Sequence, residues 1–343
     1  MKSTTLLGSL FFSFAALVFA APADPPIPTY FNLDFSQVGW SLEAGGTTGG
    51  LGGPVITVTT CDELLAAVLP DTPKIVYVKG QITMTARAIV GNNTSLIGVG
   101  SDAELIGWGL WIVHKENVIV RNLGIHHCIA PNDSITAKYS HHLWFDHNEF
   151  WSERSHGVDY YDGLVDVTRG CDYVTVSWNY FHSHWKTSLV GGDPTQRAEE
   201  EGKYHITFHH NYWRDLSTRT PALRFSDAHI FNNYYEDITA QGIHSRNFAQ
   251  VIIEGNVFCN VTEPISTYGM VIPADSPNTS PLGDFEPDGF ANVRENDFGG
   301  GKINITQVGD LTKPDYKYRH IYDPLHKVKE VVLEGCGRGK IGI

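Results

Sequence analysis

The chain of 343 residues carries 25 Lys and Arg against 38 Asp and Glu, a formal net charge of −13 that excludes a protein binding nucleic acid through a general basic surface. Apolar residues make up 42% and charged residues 18%, with 34 glycines, which disfavours disorder and coiled coil and describes a folded, glycine-punctuated chain. Five cysteines, at 61, 128, 171, 259 and 336, are too few for a disulfide scaffold and contain no C-x-x-C zinc pair; one or two disulfides could form.

The N-terminus reads Met1, Lys2, then an apolar run from Leu6 to Ala20 with Val18 and Ala20 before the helix-hostile APADPP. This predicts a secretory signal peptide over 1–20 and a mature, secreted single domain over 21–343. The run is shorter than the roughly 20 apolar residues of a membrane span, so no membrane partner is expected. Sequons at Asn93, Asn260, Asn278 and Asn304 become glycosylation acceptors if the host is a eukaryote. The tract GGTTGGLGG (45–53) lacks the Lys-Ser/Thr of a phosphate loop and reads as flexible backbone. Thr60 and Glu63 have capping-box spacing ahead of LLAAV, which predicts a short helix over 61–69 covering the N-terminal end of the fold.

From about residue 92, short β-type runs recur, each ending in an Asn turn followed by an aromatic or apolar residue: NVIVRNLGI, HLWFDHNEF, DYVTVSWNYF, YHITFHHNYW, AHIFNNYYED and QVIIEGNVF. Aligned on Asn122, Asn148, Asn179, Asn211, Asn233 and Asn256, the spacing fits a coil of three short strands and is too short for a βαβ unit. The fold predicted is all-β, a right-handed parallel β-helix or solenoid, in which stacked coils pile identical inward side chains into ladders. Asn suits the bend because it tolerates left-handed backbone and its amide can bond to the coils above and below. An antiparallel sandwich is the alternative, but its Asn-Gly and Asp-Gly hairpin signals are mostly missing. Residues 262–343, richer in Pro and Gly, are expected to wrap across the outside of the coils. The three longer intervals, between Asn122 and Asn211, must eject loops on one side, walling a groove.

Near those loops stand Asp133, Asp162 and Asp166. Carboxylates on adjacent coils would make an oxygen-only site suited to a hard cation such as Ca²⁺, although spacing is weak evidence and composition alone favours solvated loop acids. Lys186, Arg219, Arg224 and Arg246 recur at a similar stage of successive coils; they read either as surface ion pairs or as a device recognising a carboxylate-bearing ligand. The many histidines near the strand runs contain no H-E-x-x-H, so local bonding is preferred to zinc binding. Trp144, Trp178, Trp213, Tyr212 and Tyr234 read mostly as core or ladder rungs.

The segments DSITAKYSHHLWFDHN, DGLVDVTRGCDYVTVSWNYFHSHWKTSLVG and RTPALRFSDAHIFNNYYE, in that order, resemble the signature segments of secreted pectate lyases of polysaccharide lyase family one, in the pectate/pectin lyase superfamily. That resemblance implies a parallel β-helix cleaving polygalacturonate by β-elimination with Ca²⁺. It implies calcium ligands at Asp133, Asp162 and Asp166, a catalytic base at Arg219, and substrate-binding cations at Lys186, Arg224 and, less directly, Arg246. Pro131 stands where some members have a further carboxylate. In that chemistry the C5 proton leaves, the C4 glycosidic oxygen is expelled, and Ca²⁺ neutralises charge developing on the C6 carboxylate. An arginine base is unusual, since guanidinium normally titrates above about 12, and residue physics alone would make Arg219 a carboxylate clamp. A pectin lyase, a β-helical polygalacturonase using paired carboxylates, and a non-catalytic pectin-binding solenoid are the competing readings. No signal for oligomerisation occurs, so a monomer is expected.

Overall fold

The computed structural model describes Met1, residues 33–275 and residues 280–343. The predicted signal peptide and the sequon at Asn278 therefore lie outside the described residues.

Alternation of apolar and polar residues within each run puts one face of every strand inward, and the strands stack so that this face is continuous from coil to coil. The register runs Val118, Leu143, Val174, Ile206, Ala228, Val251 and Ala291, all parallel and all buried. Each coil carries three strands; one comprises Asp172–Ser177, Tyr180–Lys186 and Leu189–Val190, and the next Lys203–His209, Tyr212–Thr218 and Ala222–Leu223. Among the described strands only Met270–Val271 and Asp284–Phe285 pair antiparallel, so the chain is a parallel β-helix and not a sandwich. Inside, Phe150, Phe181, Trp213, Tyr235 and Phe258 stack at centroid distances of 4.2–5.9 Å.

The turn asparagines form a hydrogen-bonded ladder. The Asn148 amide and backbone N–H both donate to Asn179 Oδ1, at 3.0 and 2.9 Å, and the same pair of bonds repeats through Asn211, Asn233, Asn256 and Asn296. The left-handed residue is the one before each rung: His147 (φ 52°), Trp178 (54°) and His210 (55°). Asn122 departs from the predicted alignment. It occupies the left-handed position itself (φ 61°), gives its amide to the carbonyls of Gly98 and Gly100, and leaves the rung to Leu123.

At the N-terminal end the helix Cys61–Val68 has the expected capping box and buries Leu64 and Val68 over the first coil. The tract 45–53 is not free backbone. A Cβ on Gly49 would come within 2.2 Å of Ser95 Oγ and one on Gly50 within 1.7 Å of the Lys74 carbonyl, so glycine there lets the segment lie flat across the strands. Of the tail expected to wrap the outside from residue 262, residues 262–266 and Phe290–Arg294 instead continue the stacked strands, and outer wrapping holds for the chain after them. A helix not foreseen from sequence, Leu325–Gly335, leads to Gly337 and Gly339, whose N–H groups bond Trp178 O and Asn122 Oδ1 at 2.7 Å, and to Arg338, which bridges Glu104 and Glu149. All five cysteines are free. Of the described sequons, Asn260 is exposed, whereas Asn93 and Asn304 are half-buried.

Candidate active site

Residues 127–134 and 152–164 leave the coils at the same corner, between the second and third strands of successive turns. The first loop ends at Asp133 and the second at Asp162, while Asp166 points outward from the strand Val165–Thr168, whose Val165 and Val167 point into the core. All three aspartates line one cleft of about 480 Å³.

Gly163 is the hinge of their arrangement. Its N–H donates to Asp133 Oδ1 at 2.9 Å, and a Cβ there would lie 2.5 Å from Asp166 Oδ1 and 3.0 Å from Asp133 Oδ1. The two carboxylates thus face one another across a space that only glycine leaves open. Thr136 donates to the second Asp133 oxygen at 2.6 Å, and the Leu189 N–H to Asp166 at 3.0 Å. Burial, followed by the neighbouring Asp162 charge, raises the Asp133 carboxyl to about 6. Burial and then Asp133 raise Asp166 well above the carboxylate range. Asp162 is half-exposed at the rim, and its backbone carbonyl accepts from His184 Nε2 at 2.6 Å. That bond fixes the tautomer: with Nε2 donating, neutral His184 accepts the Ser152 hydroxyl at Nδ1, 2.6 Å away. Burial holds its pKa at about 4.

Oxygen-only donors, crowded carboxylates and a glycine-sized gap fit a hard divalent cation. Among the described residues no three acid, imidazole or thiol groups stand close enough together to hold a metal ion by themselves: Asp133 and Asp166 approach each other across Gly163, while Asp162 shares only the cleft.

The cations stand beside this cluster because adjacent coils present them in register. Lys186 ends its strand opposite Thr218, and Arg219 follows Thr218 at a left-handed bend (φ 59°). Lys186 Nζ contacts Asp159 at 2.8 Å and Asp162 at 3.5 Å. Arg219 Nε donates to Asp275 Oδ1 at 2.9 Å, and a second guanidinium nitrogen donates to the Asp275 carbonyl. Burial opposes its charge, but Asp275 and then Asp166 outweigh burial and raise its pKa above the ordinary guanidinium value. Arg224 forms a two-pronged pair with Glu286, at 2.8 and 2.6 Å. Arg246 is 1% exposed and joins Asp275 at 2.7 Å to Glu286 at 3.4 Å. The predicted cations are therefore brought together, but Arg224 and Arg246 enter through an acid network absent from the sequence reading.

Its two acids, Asp275 and Glu286, lie in the described parts 267–275 and 280–289, outside the repeating runs. Asp275 is fully buried; burial would raise its pKa, yet Arg246 and Arg219 hold it well below the carboxylate range. Neither Asp275 nor Glu286 belongs to a repeating run, so periodicity gave no signal for them. Gly163 and His184 did lie within a segment already singled out, and the spacing between Asp162 and Asp166 was the clue to the glycine.

A family model described as pectate lyase matches residues 33–278. This chain belongs to the pectate lyase family. It is 43% identical to pectate lyase A of Emericella nidulans over 329 residues, 93% of this chain and 94% of that protein. It is 40% identical to pectate lyase A of Aspergillus niger over 282 residues, 82% of this chain and 81% of the relative. Among solved structures it is similar to a pectate lyase from Bacillus sp. N165 in complex with trigalacturonate, with 32% identity and a TM-score of 0.76 over 89% of this chain and all of that one. The family membership and β-helix expected from the signature segments hold, and the carboxylate cluster, Lys186 and Arg219 lie within the matched region.

Proposed function

We propose that this pectate lyase family member is a secreted, monomeric, calcium-dependent enzyme that cleaves polygalacturonate by β-elimination, giving unsaturated oligogalacturonides. The observation carrying the reading is the close approach of Asp133 and Asp166 across Gly163, with Asp162 in the same cleft and Lys186 and Arg219 on the adjoining coils. Held by the three aspartates, Ca²⁺ would neutralise the C6 carboxylate as its charge grows in the transition state.

The remaining work falls to the protein's own groups. Lys186, already between Asp159 and Asp162, offers a point charge to a uronate entering the cleft. Arg219 takes the C5 proton; the C5 electron pair forms the C4=C5 double bond, the C4–O bond breaks, and the leaving oxygen is protonated by water. Asp275 stabilises the protonated guanidinium, which makes the neutral form scarce but strongly basic. Arg224 and Arg246, paired with Glu286 and Asp275, act by fixing the acids that hold Arg219. Acid groups clustered this way favour a free uronate over an ester, since an ester brings no charge for a bound cation to neutralise.

The test is polygalacturonate incubated with the protein, with Ca²⁺ or with EDTA, followed by ultraviolet absorbance of unsaturated product. Absorbance that appears with Ca²⁺ and disappears with EDTA is expected. New reducing ends without absorbance would reassign the chain to hydrolysis, and chelator-insensitive absorbance to lysis of esterified pectin.

A further inference from the structure

Outward-facing positions of the third strands fall in one row: Trp111 opposite Thr136, and Thr136 opposite Asp166. Trp111 therefore lies two coils from Asp166, about 10 Å at the parallel-strand spacing. Its half-buried indole stands between two cations, with Arg87 Cζ 4.5 Å and Lys138 Nζ 5.2 Å from the ring centroid. All three line the cleft that contains the aspartates. Among the described residues neither cation is within ion-pair distance of an acid, although the chain has 38 of them. Two positive charges on one ring repel each other, so packing alone does not account for gathering them at the mouth of a cleft in a protein of charge −13.

We propose that Trp111, Arg87 and Lys138 form a distal subsite for one galacturonate ring of the bound polymer, its carboxylate between the two cations and its apolar ring face on the indole. This rests on the pectate lyase reading and adds a length preference: chains long enough to reach Trp111 from the aspartates are cleaved more efficiently than chains that are not. The arrangement also selects for a free carboxylate at this position, because a methyl ester presents no charge to Arg87 and Lys138.

The experiment compares kcat/KM for hexagalacturonate and trigalacturonate in the wild-type protein, Trp111→Ala, Trp111→Phe and Arg87→Ala, with Ca²⁺ saturating and product absorbance as readout. Lys138 is left intact because its charge also reaches Asp133. The hexamer-to-trimer ratio should fall about tenfold in Trp111→Ala and Arg87→Ala, a change typical of losing one stacked or charge-assisted contact, and Trp111→Phe should restore most of it. A ratio equal to that of the wild type in both variants, or an equal loss on both oligomers, would overturn the subsite. A wild-type protein giving no unsaturated product from either oligomer would overturn the lyase reading itself, and the subsite with it.

Discussion

Replacing Gly163 with alanine probes the proposed site through one methyl group. Gly163 does not require left-handed backbone, so alanine is conformationally acceptable and could even stabilise the chain by up to about 1 kcal/mol through its unfolded state. The added Cβ, however, would stand 2.5 Å from Asp166 Oδ1 where ordinary contact begins at 3.4 Å, so that carboxylate must withdraw by about 0.9 Å. It is clamped by the Leu189 N–H, and Asp133 opposite is clamped by Thr136 and by the Gly163 N–H itself, leaving little slack in either direction. Calcium–oxygen distances span only about 0.3 Å, so a shift of this size removes a ligand. Half-saturation by calcium should move upward 10- to 100-fold, and kcat/KM at limiting calcium should fall about 10²-fold, with partial recovery at high calcium. The assay is a calcium titration of polygalacturonate turnover by product absorbance, alongside thermal unfolding without metal. A calcium dependence within twofold of the wild type in a protein that melts normally would show that Asp133 and Asp166 do not share an ion.

Arg219→Lys should lower kcat by 10² to 10⁴ while KM changes little; a variant retaining more than a tenth of wild-type turnover would remove Arg219 from the base role. Because Asp275 raises the Arg219 pKa, the neutral base grows with alkalinity, and kcat should climb about tenfold per pH unit through the alkaline range until another group titrates or the fold fails. Asp275→Asn should displace that climb toward lower pH, so that at a fixed pH on the limb kcat rises relative to the wild type with KM little changed, which a merely structural defect would not do. Glu254 tests stability separately. Burial favours its neutral form, but His229 and Arg294 hold it at about 2 against 4.5, so its stabilisation is complete above 4.5 and is lost as pH falls from there to about 2. The shift corresponds to about 3 kcal/mol, and Glu254→Gln should flatten the acid limb of a denaturation-versus-pH curve by about that amount.

The coil was legible because stacking makes the same demand at the same stage of every turn. A left-handed residue followed by a carboxamide satisfies two backbone and side-chain donors in the coil below, and no other side chain of that size carries both functions. The rule also explains the misplaced first rung. At the first rung the Gly339 N–H donates to the Asn122 side-chain oxygen, so this asparagine serves the tail from the left-handed position, and a buried leucine follows it; Asn232 serves the tail in the same way with Asn233 kept on the rung. The glycine tract was misread for a related reason. A sequence shows that glycine frees the backbone but not that a neighbouring carbonyl lies 1.7 Å from the absent Cβ, and contact of that kind is fixed only when distant segments meet.

The same distinction separates the legible part of the site from the rest. Asp133, Asp162, Asp166, Lys186 and Arg219 lie in loops and strand ends of consecutive turns, and parallel stacking brings the three aspartates to one cleft and sets Lys186 opposite Thr218, next to Arg219. The arginine partners are set by a different economy. Three guanidinium groups buried within one region would repel and lose their hydration, and an uncompensated buried charge costs several kcal/mol. Some segment had to bring carboxylates to them; elsewhere a neighbouring coil does so in register, as Glu254 does for Arg294, but here residues outside the repeat supply them. Residues 267–275 and 280–289 answer that need with Asp275 and Glu286. Unpaired cations in a regular coil thus predict acids in the nearest excursion. By the same reasoning Arg87 and Lys138, for which the described chain supplies no such acid, point to an anion arriving from outside.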